Sequence, residues 1–134
     1  MQITRESDYA IRCTLYLVSH ADRLATVGDI SVNQDIPKAF TAKILQKLVK
    51  AGIAKSNKGI KGGFSLNKDP KTITLSNVIE AVQGPIALNI CVIDKKACNR
   101  SKFCSIHPVW IEIQQELLKK LNSYTVESIA NKQI

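Results

Sequence analysis

Three cysteines and a histidine, Cys91, Cys98, Cys104 and His107, fall within seventeen positions of one polar stretch. Deprotonated thiols are soft ligands suited to iron–sulfur clusters and to zinc, and a neutral imidazole accepts the same metals. The set can therefore hold a metal ion or an iron–sulfur cluster. Zinc sites usually present close Cys-x-x-Cys pairs, and none occurs here, which counts against a zinc-stabilised fold. A metal-free alternative, thiol-based redox control, needs one cysteine activated by nearby positive charge, for which Lys95, Lys96, Arg100 and Lys102 are available. Cys13 stands apart, inside a helical pattern, and reads as a small core residue.

The elements that would position these ligands begin with a helix from about Ser7 to His20, with Ser7 as a possible N-cap and Ile11, Leu15 and Val18 recurring at helical spacing. Thr26 with Asp29 three residues on forms a capping-box pattern for a short second helix. Pro37 interrupts it, because the ring removes a backbone donor and disfavours helical geometry at Ile36. A third helix then spans roughly Lys38 to Ala51. Ile44, Leu45, Leu48 and Val49 make its apolar stripe, and Thr41, Lys43, Gln46, Lys47 and Lys50 stay outside.

Two short helices joined by a tight turn, the second with a basic outer face, form the helix-turn-helix pattern whose second helix enters the DNA major groove. Two short strands follow, Ile53 to Ser56 and Phe64 to Leu66, flanking a loop with Lys58, Gly59, Lys61, Gly62 and Gly63. Its glycines permit a tight turn and its lysines charge the tip, so the hairpin reads as a wing that reaches phosphates or the minor groove. The expected DNA contacts are Lys38, Phe40, Thr41, Lys43 and Lys47 on the helix, with Lys58, Gly59 and Lys61 on the wing. Thr74 opens a fourth helix that Gly84 and Pro85 end. A long helix from Pro108 to about Asn122 carries Trp110, Ile113, Leu117 and Leu121 on one side, a stripe suited to a dimer seam. Thr125 opens a last short helix.

Length and charge agree with this layout. The chain has 134 residues, 45% apolar and 22% charged, enough for one folded domain with an oligomerisation arm. The fold class expected is mainly α with a small β-hairpin wing: a winged helix-turn-helix over residues 1–84, a cysteine-rich cluster-binding loop over 85–107, and a dimerisation helix and C-terminal tail over 108–134. A formal charge of +8 points to a polyanionic partner, double-stranded DNA. Nine lysines lie between Lys38 and Lys71 against one acid, Asp69. No run approaches the ~20 apolar residues that span a bilayer, and the start lacks a signal-peptide apolar region, so a cytoplasmic, reducing setting is expected. No nucleophile and base pair, phosphate loop or acid cluster suggests an enzyme.

The chain resembles the bacterial winged-helix iron–sulfur transcriptional regulators of the Rrf2 family. The likeness rests on Met1-Gln2-Ile3-Thr4 with Asp8-Tyr9-Ala10-Ile11-Arg12, on Lys43-Ile44-Leu45-Gln46-Lys47-Leu48 with Lys50-Ala51-Gly52, on Lys58-Gly59 with Gly62-Gly63-Phe64-Ser65-Leu66, on the three cysteines, and on Tyr124-Thr125-Val126. It implies a homodimer on a two-fold symmetric operator, acting most often as a repressor, with a 2Fe-2S or 4Fe-4S cluster. By the same resemblance the fourth ligand is His107, as in the family's iron–sulfur assembly regulator. The alternative is Asp8, supplied by the partner subunit as in its nitric oxide sensor. Two features depart from the family: Lys58 replaces the usual wing arginine, keeping the charge but losing the planar fork. The six residues between Cys91 and Cys98 match neither the assembly regulator's spacing nor the iron regulator's.

Overall fold

The computed structural model describes residues 2–132. Met1, Gln133 and Ile134, included in the sequence-based boundaries, lie outside the described residues.

Helix α1 (Arg5–Ser19) starts two residues earlier than the periodicity predicts, because Thr4 is its cap: the Thr4 hydroxyl accepts from Ser7 N at 3.1 Å. Ser7 is instead fully buried and donates its own hydroxyl to Gln83 Oε1 at 2.6 Å. Helix α2 (Val27–Gln34) has the expected capping box. Thr26 Oγ1 accepts from Asp29 N at 3.1 Å, and Asp29 accepts from Thr26 N at 3.0 Å. These bonds hold the Asp29 carboxyl below its usual range. Asp35, at φ 55, turns the chain left-handed before Pro37, and helix α3 (Lys38–Lys50) follows.

Ile44, Leu45 and Leu48 on α3 are wholly buried, together with Ile30 of α2 and Ala10 and Cys13 of α1. Burying each large aliphatic side chain contributes roughly 1.5–3 kcal/mol, so this three-helix packing is what holds α3 in place. Gly52, at φ 78, then releases the chain into a hairpin. Strand β1 (Ala54–Asn57) pairs antiparallel with β2 (Gly63–Leu66), Ala54 opposite Leu66 and Asn57 opposite Gly63. Next to its loop the hairpin is held to the α1–α2 connection, where Phe64 N donates to Ala25 O at 2.7 Å and Ala25 N to Phe64 O at 3.0 Å. A Cβ on Gly63 would sit 2.8 Å from Ala25 O, so the close approach requires glycine there.

Thr74 caps helix α4 (Leu75–Gln83) in a second capping box with Asn77. The chain then leaves through Gly84 to a short helix α5 (Ile90–Ile93), a 3-10 turn over Lys95–Ala97, and the long α6 (His107–Asn122). Helix α7 (Val126–Ala130), opened by a Thr125–Ser128 capping box, returns to the start of the fold. Val126 is 1% exposed and belongs to the same core as Ala10, Ile30 and Leu45. Leu75 N donates to Tyr124 O and Val126 N to Ile73 O, both at 2.9 Å. The C-terminal segment, grouped by sequence with the dimerisation arm, thus completes the winged module. The architecture is the mainly helical winged helix expected.

Candidate DNA interface and cysteine segment

Helix α3 turns Lys38, Phe40 and Lys43 to solvent near its N-terminal end. Phe40 is half exposed and meets Tyr9 edge-on at 6.3 Å between ring centres, which fixes its direction. Thr41, expected on the outer face, is corrected to the core, and Lys47 is half-buried. Thr41 is wholly buried, its hydroxyl donating to Pro37 O at 3.2 Å, because the first turn of α3 folds that side against the helix pair. Lys47 is turned toward α1, where Nζ lies 2.7 Å from Glu6 Oε1.

The wing carries Lys58, Gly59, Ile60 and Lys61 fully in solvent, with Lys55 exposed on β1. Gly59 takes φ 116, and Gly62 N donates to Gly59 O at 3.0 Å to close the tip. A Cβ at Gly62 would collide with Asn57 O, so this glycine serves the closeness of the two strands. The exposed lysines at one end of α3 and on the wing are of the charge that phosphates attract.

Arg12 was not singled out as a functional residue by its sequence context. Its guanidinium donates to Gln34 O, the last residue of α2, stacks 5.4 Å from the Tyr9 ring and lies 3.8 Å from Asp8. One side chain thereby connects the start of α1 with the turn ahead of α3. The i, i+4 spacing of Asp8 and Arg12 was the only signal in the sequence.

Among the described residues no three His, Cys, Asp or Glu side chains stand close enough to hold one metal ion. Cys91 is buried on α5, Cys98 follows the 3-10 turn half-buried, and Cys104 is half-buried before α6; all are free thiols. His107 N donates to Cys104 O at 3.2 Å, placing these two in one turn. Cys98 and His107 line one depression with Lys96, Ser101, Lys102 and Phe103. His107 Nδ1 and Ser101 Oγ are buried without a hydrogen-bond partner among the described residues. A buried unpaired ring nitrogen in a depression that a free thiol also lines fits a ligand-binding role, since such a group otherwise carries an uncompensated desolvation penalty. Asp8 is exposed on α1 and bound to Arg12 within the protomer.

Gln114, also unremarked in the sequence, is 8% exposed in α6 and staples the cysteine segment's entry. Its amide nitrogen donates to Ile86 O at 2.6 Å, and its oxygen accepts from Leu88 N at 2.8 Å. Beyond this staple, Ile90, Ile93, Phe103, Ile106, Val109 and Ile113 are all exposed. Among the described residues no helix is long and apolar enough to cross a membrane.

A family model described as Rrf2, iron-dependent transcriptional regulator, matches residues 3–132. A protein of Aquifex aeolicus (strain VF5) named as an HTH-type transcriptional regulator is 31% identical over 125 residues, covering 92% of this chain and 87% of that protein. T. potens IscR is similar in structure with a TM-score of 0.79 at 18% identity, covering 100% of this chain and 89% of its own. CymR (YrzC), the global cysteine regulator of B. subtilis, gives a TM-score of 0.80 at 23% identity, covering 98% of each chain. The likeness to these two solved structures is one of fold.

Proposed function

The chain belongs to the Rrf2 family of transcriptional regulators, and on that premise we propose that an iron–sulfur cluster on Cys91, Cys98, Cys104 and His107 controls its binding to operator DNA. The observation that supports this reading is the buried, unpaired His107 Nδ1, one turn from Cys104 and in a depression that Cys98 also lines. Three thiolates and one imidazole match the soft donor set of such clusters, and a non-cysteine ligand makes a cluster easier to oxidise or lose, which suits a sensor. When bound, the cluster would supply a redox- or iron-dependent change of charge and shape.

This chain's own residues do the reading of DNA. Lys38, Phe40 and Lys43 enter the major groove from α3, while Lys58, Gly59 and Lys61 of the wing follow the backbone into the minor groove. Two copies join through the exposed apolar side of α6, where Val109 and Ile113 are uncovered, to span a symmetric operator as a repressor. Because the ligands stand apart, cluster assembly must draw the segment over 89–107 together, and this rearrangement alters the arm that sets the spacing of the two α3 helices.

The family also includes the fold of a cysteine regulator, and the separated thiols favour a second reading in which Cys98 or Cys104 acts by thiol chemistry without metal. Anaerobic reconstitution with iron and sulfide separates the two. A brown protein with stoichiometric iron and sulfide, whose operator affinity changes on cluster removal, supports the cluster. A colourless protein whose affinity follows thiol oxidation alone replaces it.

A further inference from the structure

The wing tip presents an isoleucine where a solubilising residue would do. Ile60 is entirely exposed, the most exposed large apolar residue among those described, and it stands between Lys58 and Lys61. It packs on nothing that would explain it as core. The tip that holds it is closed by a hydrogen bond from Gly62 N to Gly59 O at 3.0 Å, Gly62 admits no side chain, and Phe64, just beyond, is held to Ala25 by two backbone hydrogen bonds. A hydrogen-bonded turn therefore carries an apolar side chain outward at the point flanked by two cations.

We propose that Ile60 is a specificity-determining contact that packs into the minor groove of duplex DNA, against the sugar walls and the floor of A·T pairs. This rests on the wing's placement at the minor groove. The flanking lysines commit the tip to a polyanion, and the minor groove is where such a surface also offers apolar sugar edges to a branched aliphatic group. The G·C pair projects a guanine amino group from the groove floor that an A·T pair lacks, so a side chain seated there discriminates against G·C. The lysines supply affinity dependent on salt, and Ile60 supplies a component that salt does not screen.

The test uses the full-length protein and a duplex with the sequence it selects from a random pool. Ile60→Ala should weaken binding roughly fivefold or more, in keeping with loss of buried apolar groups. The slope of log affinity against log salt should stay unchanged, and Ile60→Leu should restore binding. Lys58→Ala should instead lower that slope by about 1. Replacing A·T pairs beneath the wing by G·C should weaken the parent more than replacement by inosine·C, which lacks the amino group, and Ile60→Ala should narrow this difference. Because Ile60 touches nothing in the fold, its variants should melt like the parent. If Ile60→Ala binds like the parent while Lys58→Ala and Lys61→Ala are weak, the inference is overturned and the wing's role stands. If all three bind like the parent, the placement of the wing itself is wrong.

Discussion

Lys47 Nζ lies 2.7 Å from Glu6 Oε1, tying the outer edge of α3 to the first turn of α1. The pair is partly exposed, so it is worth only about 0.5 kcal/mol. Lys47→Ala should lower the unfolding free energy by about that much and leave the salt dependence of DNA binding intact. Lys43→Ala should do the reverse, reducing the salt slope by about 1 with unchanged stability. Chemical denaturation and fluorescence anisotropy over a salt series check both. Equal salt slopes for the two variants would return Lys47 to the DNA surface.

Thr41 gives a second separation of stability from recognition. With its side chain buried and its hydroxyl bonded to Pro37 O, Thr41→Val should cost roughly 1 kcal/mol of stability without changing base preference. Selection of DNA from a random pool by the variant reads the preference directly, and a shifted consensus would contradict the buried placement.

Burial pushes the Cys13 thiol up to about 12 from 9.0, with the charge of Arg12 opposing it only in part. The folded state holds the proton that the unfolded chain releases. This contribution to stability is whole below pH 9.0 and is lost as pH rises toward about 12. Stability of the parent should therefore fall more steeply across that window than stability of Cys13→Ala, measured by urea midpoints. At neutral pH the half-buried Cys98 and Cys104 should react first with an alkylating reagent, and Cys13 only after unfolding. Four fast thiols would place Cys13 outside the core.

Gln114 spends both ends of its amide on the chain entering the cysteine segment, at Ile86 and Leu88. Gln114→Leu should cost about 1–3 kcal/mol by stranding the buried Ile86 carbonyl and the part-buried Leu88 N–H. Amide exchange should quicken at Leu88 and through residues 89–107 and stay slow in α1 and α3. Uniform acceleration along the chain would show global destabilisation instead.

For the fourth ligand, His107→Ala in the reconstituted protein should change the visible spectrum or hasten cluster loss in air. Asp8→Ala should keep the spectrum and release only the Arg12 partner. The opposite pair of results would move the ligand to α1.

Local signals carried most of the fold. Thr26, Thr74 and Thr125 each precede a polar residue at the third helical position, and every one forms the capping box that this spacing encodes. The glycine-rich hairpin and the basic α3 were equally plain, since turn chemistry and helical periodicity act over a few residues. What the sequence hid depends on distant neighbours. Ser7 faces inward because Gln83 meets it, and Lys47 turns because Glu6 is there. Gln114 is buried because the chain before α5 crosses it, and α7 docks through backbone bonds that carry no side-chain signature. The type and spacing of the cysteines give their donor chemistry, whereas their positions apart from one another depend on packing that no local pattern records.

The return of α7 to the core makes the segment between Gly84 and Thr125 an excursion whose two ends are both anchored in the winged module, with Ser76 hydrogen-bonded to Asn122 near its close. Lengthening such a closed excursion adds only about 0.6 kcal/mol of chain entropy per doubling. Insertions or deletions between the cysteines therefore leave the DNA-reading core nearly as stable as before. The length and composition of the cysteine segment are thus free to change with little cost to the packing that holds α3 and the wing. Truncation before Thr125, by contrast, removes Val126 from the core and should destabilise the winged module as a whole.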